Sequence, residues 1–367
     1  MKKCIGLISA NYSIDGLSPL DKERALASLP FGGRYRLIDF PLSNLANAGV
    51  MTVALIMPVN NRSLLEHVGV GKDWGFGHKS GGLFLLPGTV FGERIKSSRF
   101  IIRDLVQNMN FLTSDTAEYV ILFGSNKIFN MDMKELIAHM DKTGENITLV
   151  YKKMLADKNS GNLYLEVAEN GDVAGIKRKC SGVTNTFLDC IILKREFLLK
   201  LLEWFGVLEN MDLIELLGEN IDKFKISSYE FKGYVGDIFD GNQYFRTSMD
   251  LLDYDIRTEL FNSERKIYTN IQDRTPTKYG PNAVVKNSLI AGGCVIDGTI
   301  ENSILFRSSE VKPGAVVKNS ILMQHCVVNK DALVERVVFD KNVKISEAVH
   351  IAGGVDKPFI TEKGKSL

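Results

Sequence analysis

The stretch Pro281-Asn-Ala-Val-Val-Lys-Asn-Ser-Leu-Ile290 returns almost unchanged as Pro313-Gly-Ala-Val-Val-Lys-Asn-Ser-Ile-Leu322. Between the two lies Gly298-Thr-Ile-Glu-Asn-Ser-Ile-Leu305, and beyond them Ala332-Leu-Val-Glu-Arg-Val-Val-Phe339, so one short unit recurs at roughly 15 to 17 residues. A unit of that length cannot bury its own apolar side chains. Stacked on its neighbours, it can, with each apolar position joining a shared column. The spacing therefore predicts coils of a parallel β-helix over residues 280–367, with a plain β-sandwich as the bland alternative.

Working towards the N-terminus, the texture changes. Up to about residue 250, apolar runs of strand length alternate with helix-period segments, the pattern of βα units around a mostly parallel sheet. This predicts an α/β domain over 1–250, with central strands at 4–9, 52–57, 119–123, 147–151 and 187–193 and helices over 100–112, 133–142 and 196–205. Residues 251–279, with Tyr254, Asp255, Arg257, Arg265 and Pro276, keep no steady period and are expected to form a packed connection.

Composition narrows the function classes. At 367 residues the chain is long enough for two cores. Lys and Arg number 45 against 44 Asp and Glu, a balance lacking the basic excess with which nucleic-acid binders neutralise phosphates. The cysteines Cys4, Cys180, Cys190, Cys294 and Cys326 form no CxxC pair and no metal-spaced cluster, which fits reduced thiols in a cytoplasmic protein. The apolar run after Met1-Lys2-Lys3 is too short for a signal peptide or membrane span, and no other window approaches the length a membrane helix needs.

The most specific segment is Pro30-Phe-Gly-Gly-Arg-Tyr-Arg-Leu-Ile-Asp-Phe-Pro-Leu-Ser-Asn44, followed by Ala46-Asn47-Ala48-Gly49-Val50. Its paired glycines allow a tight backbone path, and Arg34, Arg36 and Asp39 set charges beside an apolar patch. Read structurally, it is a turn entering a packed helix. The segment also resembles the bacterial glucose-1-phosphate adenylyltransferase (ADP-glucose pyrophosphorylase) family, and the order of motifs agrees along essentially the whole chain. That resemblance implies a Rossmann-like nucleotidyltransferase domain followed by a left-handed parallel β-helix. It also implies a family activity that uses ATP, glucose 1-phosphate and Mg²⁺.

Such a transfer needs backbone amides for the triphosphate, cations for the developing charge, and carboxylates for the metal. The chain departs from the family at each point. The family's GGxGxRL loop is replaced by Ser9-Ala-Asn-Tyr-Ser-Ile-Asp-Gly-Leu-Ser18, where Tyr12 and Ile14 add bulk, Asp15 adds negative charge and only Gly16 remains. KRAKPA becomes Glu23-Arg24-Ala25-Leu26-Ala27-Ser28, so Glu23 and Leu26 stand where lysines are expected. Phe100-Ile101-Ile102 fill the place of GTA, ahead of Gln107-Asn108. The metal-binding aspartate of GDH falls on Ser125 in Gly124-Ser125-Asn126. EKP becomes Arg178-Lys179-Cys180, which keeps only Lys179. The second metal aspartate survives as Asp237, a weak metal candidate that could equally cap the following helix or bond a loop. Asp212 and Tyr234 lie near the family's sugar-facing segments.

Several losses at once point away from a working site. The pattern resembles the GlgD-type branch of the family, which implies a poorly active regulatory subunit paired with a catalytic subunit in a hetero-tetramer, needing no cofactor of its own. The same resemblance makes Arg24 and Arg36 candidates for binding a sugar-phosphate effector, although Glu23 and Pro30 replace other basic positions there; a surface ion-pair role is the alternative for both. Other readings remain: an active adenylyltransferase using Asp237 and Lys179 through altered loops, a pure assembly module, and a hexapeptide acyltransferase relying on His325. His67, His78, His139 and His350 share no spacing with it. Trp74, in Gly71-Lys-Asp-Trp-Gly-Phe-Gly77, reads as an aromatic anchor in a mobile glycine-rich loop.

Overall fold

The computed structural model describes residues 3–14, 16–77, 81–89, 99–157, 160–271, 275–355 and 357–367. Asp15 and His78, singled out above, lie outside the described residues.

The main sheet has nine strands. They are β1 Cys4–Ser9, β2 Thr52–Met57, β3 Gly82–Pro87, β4 Tyr119–Phe123, β5 Ile147–Leu155, β6 Tyr164–Val167, β7 Val173–Lys177, β8 Val183–Lys194 and β9 Ser227–Glu230. β1 pairs in parallel with β2 on one side and β4 on the other, and β2 with β3. The sheet is mixed rather than mostly parallel, because β8 runs against β4, β5 and β6, and β7 against β6. One reason lies in the connections: five residues separate β6 from β7, too few for a parallel crossover, which needs about a dozen or more.

Alternation along the central strands sends side chains to two cores. Ile5, Leu7, Val120 and Leu122 pack under helices Ile102–Gln107, Met109–Ser114, Arg195–Phe205 and Leu213–Glu219. Cys4, Ile8, Ile121 and Phe123 face helices Asp39–Asn47 and Met133–Thr143. A Cβ at Gly6 would stand 2.5 Å from the Leu45 side chain, so the missing side chain sets how closely helix Asp39–Asn47 lies on β1. The single helix expected over 100–112 is two. Asn108 leaves helical geometry at φ −104° and ψ 20°, and its side-chain amide bonds the Asp104 carbonyl, competing with the backbone.

The chain winds from β1 outward through β2 to β3, then returns to β4 on the other side of β1. At such a reversal the loops leave in opposite directions and open a crevice beyond the carboxyl ends of the strands. The connection over 251–279 carries a helix, Tyr254–Leu260, capped by the Asp253 carboxylate, and Lys278–Tyr279 already pairs with Val295–Ile296 of the next unit.

That unit is a parallel β-helix with three faces of five strands each. On one face Val284–Lys286, Thr299–Glu301, Val316–Lys318, Leu333–Glu335 and His350–Ala352 stack in register. The repeated Asn-Ser makes a corner in three successive coils. Asn287, Asn302 and Asn319 take φ of 39°, 44° and 46°, a left-handed conformation that asparagine tolerates better than most residues. The serines form a ladder: Ser288 Oγ accepts from Ser303 N, Ser303 Oγ from Ser320 N, and Ser320 Oγ from Val337 N.

The two units share a core. Tyr12, Leu26, Phe31, Phe40 and Tyr244 pack in one cluster with Ile304, Phe306, Ile321, Met323 and Val338 of the β-helix. No helix among the described residues is long and apolar enough to cross a membrane.

Candidate functional site

The crevice beyond β1 and β4 holds Tyr12, Arg99, Ser125, Asn126, Lys127, Asn162, Asp189 and Asp237. Tyr12 follows β1 in the segment Ser9-Ala-Asn-Tyr12. Its hydroxyl accepts from Ser125 N at 2.6 Å, lies 3.2 Å from Ser125 Oγ and donates to Asn126 Oδ1 at 3.0 Å. Arg99 covers the ring, with its Cζ 5.1 Å from the centroid. Burial pushes the Tyr12 hydroxyl up to about 12, so the group is a neutral donor at ordinary pH.

Lys127 was not anticipated from the sequence. It lies on a two-residue strand, Lys127–Ile128, paired antiparallel with Gly236–Asp237, and the register sets Lys127 opposite Asp237. Lys127 Nζ stands 2.9 Å from Asp237 Oδ1, 2.6 Å from Asn162 Oδ1 and 3.8 Å from Asp189 Oδ2. Asn162 Nδ2 donates to the other Asp237 oxygen, and Asn126 Nδ2 lies 3.4 Å from Oδ1. The Lys127 and Asp237 side chains are only 2% and 3% exposed, so water contributes little to satisfying either charge. Asp189 is brought in by a bulge: the pairing of β8 with β5 slips between Phe187 and Ile191, and Asp189 takes φ 50°. Its carboxylate meets Arg99 Nε at 3.3 Å. Gly124 permits this approach, since a Cβ there would stand 2.8 Å from Asp189 Cβ.

The geometry decides between the alternatives for Asp237. It caps no helix; Asp240 does so, accepting from Gln243 N ahead of helix Gly241–Met249. Nor do the residues present fit a Mg²⁺ ion held by Asp237. A divalent ion needs a shell of oxygens at about 2.0–2.1 Å, whereas Asp237 is engaged by an ammonium and two amides, and Ser125 by Tyr12. Among the described residues, no group of three or more His, Cys, Asp or Glu could hold a metal.

The other residues named from sequence are dispersed. Arg178 pairs with Glu215 of helix Leu213–Glu219, while Lys179 is exposed and outside the Lys127 cluster. Phe100, Ile101 and Ile102 are buried. Asp212 caps helix Leu213–Glu219 and accepts from Phe100 N at 2.8 Å; burial raises its pKa. Tyr234 donates to Asp250 at 2.9 Å. Leu26 lies in the shared core. Trp74 is buried as well, edge-on to His67 with ring centroids 5.7 Å apart, so the loop is anchored rather than loose.

Arg24 and Arg36 part company. Arg24 is 4% exposed, and its Nη2 reaches both Asp340 oxygens at 2.7 and 2.6 Å, a buried ion pair between the units rather than a surface one. Arg36 lines a cavity of about 230 Å³ between the units with Arg34, His67, Arg307, His325 and Lys341. Burial lowers the Arg36 guanidinium to about 10. Burial, then Arg36 and Arg24, bring the Lys341 ammonium down to about 8. Such a concentration of cationic groups suits an anion.

Residues 15–190 match the nucleotidyl transferase family, and residues 275–359 the GlmU-like C-terminal hexapeptide family, whose repeats are those of a left-handed β-helix. The glycogen biosynthesis protein GlgD of Bacillus subtilis (strain 168) is 32% identical over 363 residues, covering 98% of this chain and 96% of the relative. The chain belongs to the GlgD family. A GlgD of Geobacillus stearothermophilus is 33% identical over 84% of this chain and 81% of its own. The glucose-1-phosphate adenylyltransferase of Clostridium novyi (strain NT) is 27% identical over 84% of this chain and 83% of its own. The Tyr12 plug and the Lys127 cluster occupy the strand ends at the reversal of the sheet, where open α/β sheets bind their ligands.

Proposed function

We propose that this chain acts in glycogen biosynthesis as a regulatory, poorly or non-catalytic subunit of ADP-glucose pyrophosphorylase, the enzyme that converts ATP and glucose 1-phosphate to ADP-glucose and pyrophosphate. Its partner is a catalytic subunit, and the assembly is a hetero-tetramer in the cytoplasm. One observation carries the reading: Tyr12 fills the crevice beyond β1 and takes the Ser125 amide, so the backbone that would face a triphosphate is covered. The ATP and Mg²⁺ of the reaction are then handled by the partner. A sugar-phosphate effector is proposed for the cavity of Arg36, Arg307 and Lys341, which supplies fixed cations at the junction of the two units.

The test is ADP-glucose synthesis by this chain alone, the catalytic subunit alone, and the two co-expressed. Silence alone with raised kcat or lowered KM in the mixture is the expected result. Substantial Mg²⁺-dependent turnover by the isolated chain would overturn the proposal.

A further inference from the structure

The Lys127 cluster is a balanced group of charges. Two cations, Arg99 and Lys127, face two carboxylates, Asp189 and Asp237, and Lys127 lies between the carboxylates at 2.9 and 3.8 Å. In a poorly hydrated site, adding a divalent cation beside a resident ammonium leaves two positive charges in excess, which low dielectric penalises heavily. Removing the ammonium has the opposite effect. It leaves two carboxylates and the Asn162 amide oxygen, all of which had been within 3.8 Å of one point, facing a cavity with Arg99 as the remaining cation of the group and a net charge of −1. Hard oxygen donors of that kind attract divalent cations.

We infer that the Lys127 ammonium is a built-in replacement for a divalent cation, occupying the place between Asp237 and Asp189 and excluding metal from it. The inference rests on the reading of this chain as a degenerate nucleotidyltransferase, and deepens it: the site is closed to metal by a residue gained as well as by the carboxylate absent at Ser125. The register fixes the arrangement, because Lys127 and Asp237 are opposed across the two-strand ladder and Asn162 turns the carboxylate by holding its second oxygen.

The experiment is a titration of the full-length chain with Mn²⁺, following loss of the free-ion electron paramagnetic resonance signal, with thermal unfolding recorded in parallel. Wild type, Asp237→Asn, Lys127→Ala and Lys127→Ala/Asp237→Asn are compared. Wild type is expected to show no saturable site up to about 1 mM, while Lys127→Ala gains one Mn²⁺ site at least about tenfold tighter and a Tm that rises with Mn²⁺. The added Asp237→Asn removes both effects. A wild-type Mn²⁺ site that Asp237→Asn abolishes overturns the inference, as does a folded Lys127→Ala protein that gains no site. Should Lys127→Ala fail to fold, recovery of folding by Mn²⁺ supports the inference, and otherwise the wild-type and Asp237→Asn pair decides. The outcomes are separable from the regulatory proposal: a chain silent towards Mn²⁺ that leaves its partner's turnover unchanged keeps this inference and loses the other.

Discussion

Tyr12 and Lys127 close the crevice by different means, one with a ring and a hydroxyl, the other with a charge. Arg36 and Lys341, at the junction of the units, leave cationic capacity facing a cavity instead. Burial holds the Lys341 ammonium at about 8 in the folded protein, below the ordinary 10.5. Below about 8 it is a cation in the folded protein, so affinity for fructose 1,6-bisphosphate, followed by calorimetry, is expected to fall about tenfold as pH rises from about 7 to about 9, the scale of one charged hydrogen bond. A flat profile would remove Lys341 from the site. The same shift acts on stability. Between about 8 and 10.5 the unfolded chain holds this proton and the folded chain does not, so the Lys341 contribution to stability rises with pH across that window. At this scale the sequence brings out residues that depart from a motif more readily than residues placed by the fold. Ser125 and Leu26 could be seen against a motif, whereas Lys127, two residues beyond Ser125, belongs to no motif and acquires meaning only from a cross-strand register with Asp237, 110 positions away. For Arg24 the resemblance offers an effector contact and the alternative is a surface ion pair; the buried pair it makes is with Asp340, 316 positions away in the other unit, which sequence does not reveal.

The corner of the β-helix coil is where repetition becomes structure. Ser320 is fully buried, and its Oγ both donates to Lys318 O and accepts from Val337 N. Ser320→Ala leaves that amide without its acceptor and is expected to lower stability by about 1–3 kcal/mol, measured by urea unfolding. Asn319→Gly, at φ 46°, should be nearly neutral because glycine adopts that conformation freely. A Ser320→Ala protein as stable as wild type would mean that the ladder is ornamental. Strands with a continuous apolar run, such as Cys4–Ser9, Thr52–Met57 and Tyr119–Phe123, were legible to the residue because they are buried on both faces. The reversed direction of β8 was not, since its Phe-Leu-Asp-Cys-Ile-Ile-Leu run is equally apolar in either orientation. The helix break at Asn108 likewise depends on a side-chain bond to Asp104 that periodicity does not reveal.

Across the whole molecule, the shared cluster and the Arg24–Asp340 pair join the two units into one packed body. Arg24→Ala leaves the Asp340 carboxylate, 3% exposed, without its guanidinium, and is expected to cost about 3–5 kcal/mol. Replacing both residues, as Arg24→Met with Asp340→Leu, should recover much of that loss. Calorimetry checks both; a single-variant loss under about 1 kcal/mol would show that another group compensates Asp340. The shared cluster also has a consequence for the chain as it emerges from the ribosome. Tyr12, Leu26, Phe31 and Phe40 are made early, but Ile304, Phe306, Ile321, Met323 and Val338 arrive some 300 residues later. At about 5–20 residues per second, that interval is roughly 15–60 s. During it, the N-terminal half presents an apolar face whose cover has not yet been synthesised, so the nascent chain depends on whatever shields that face until translation ends.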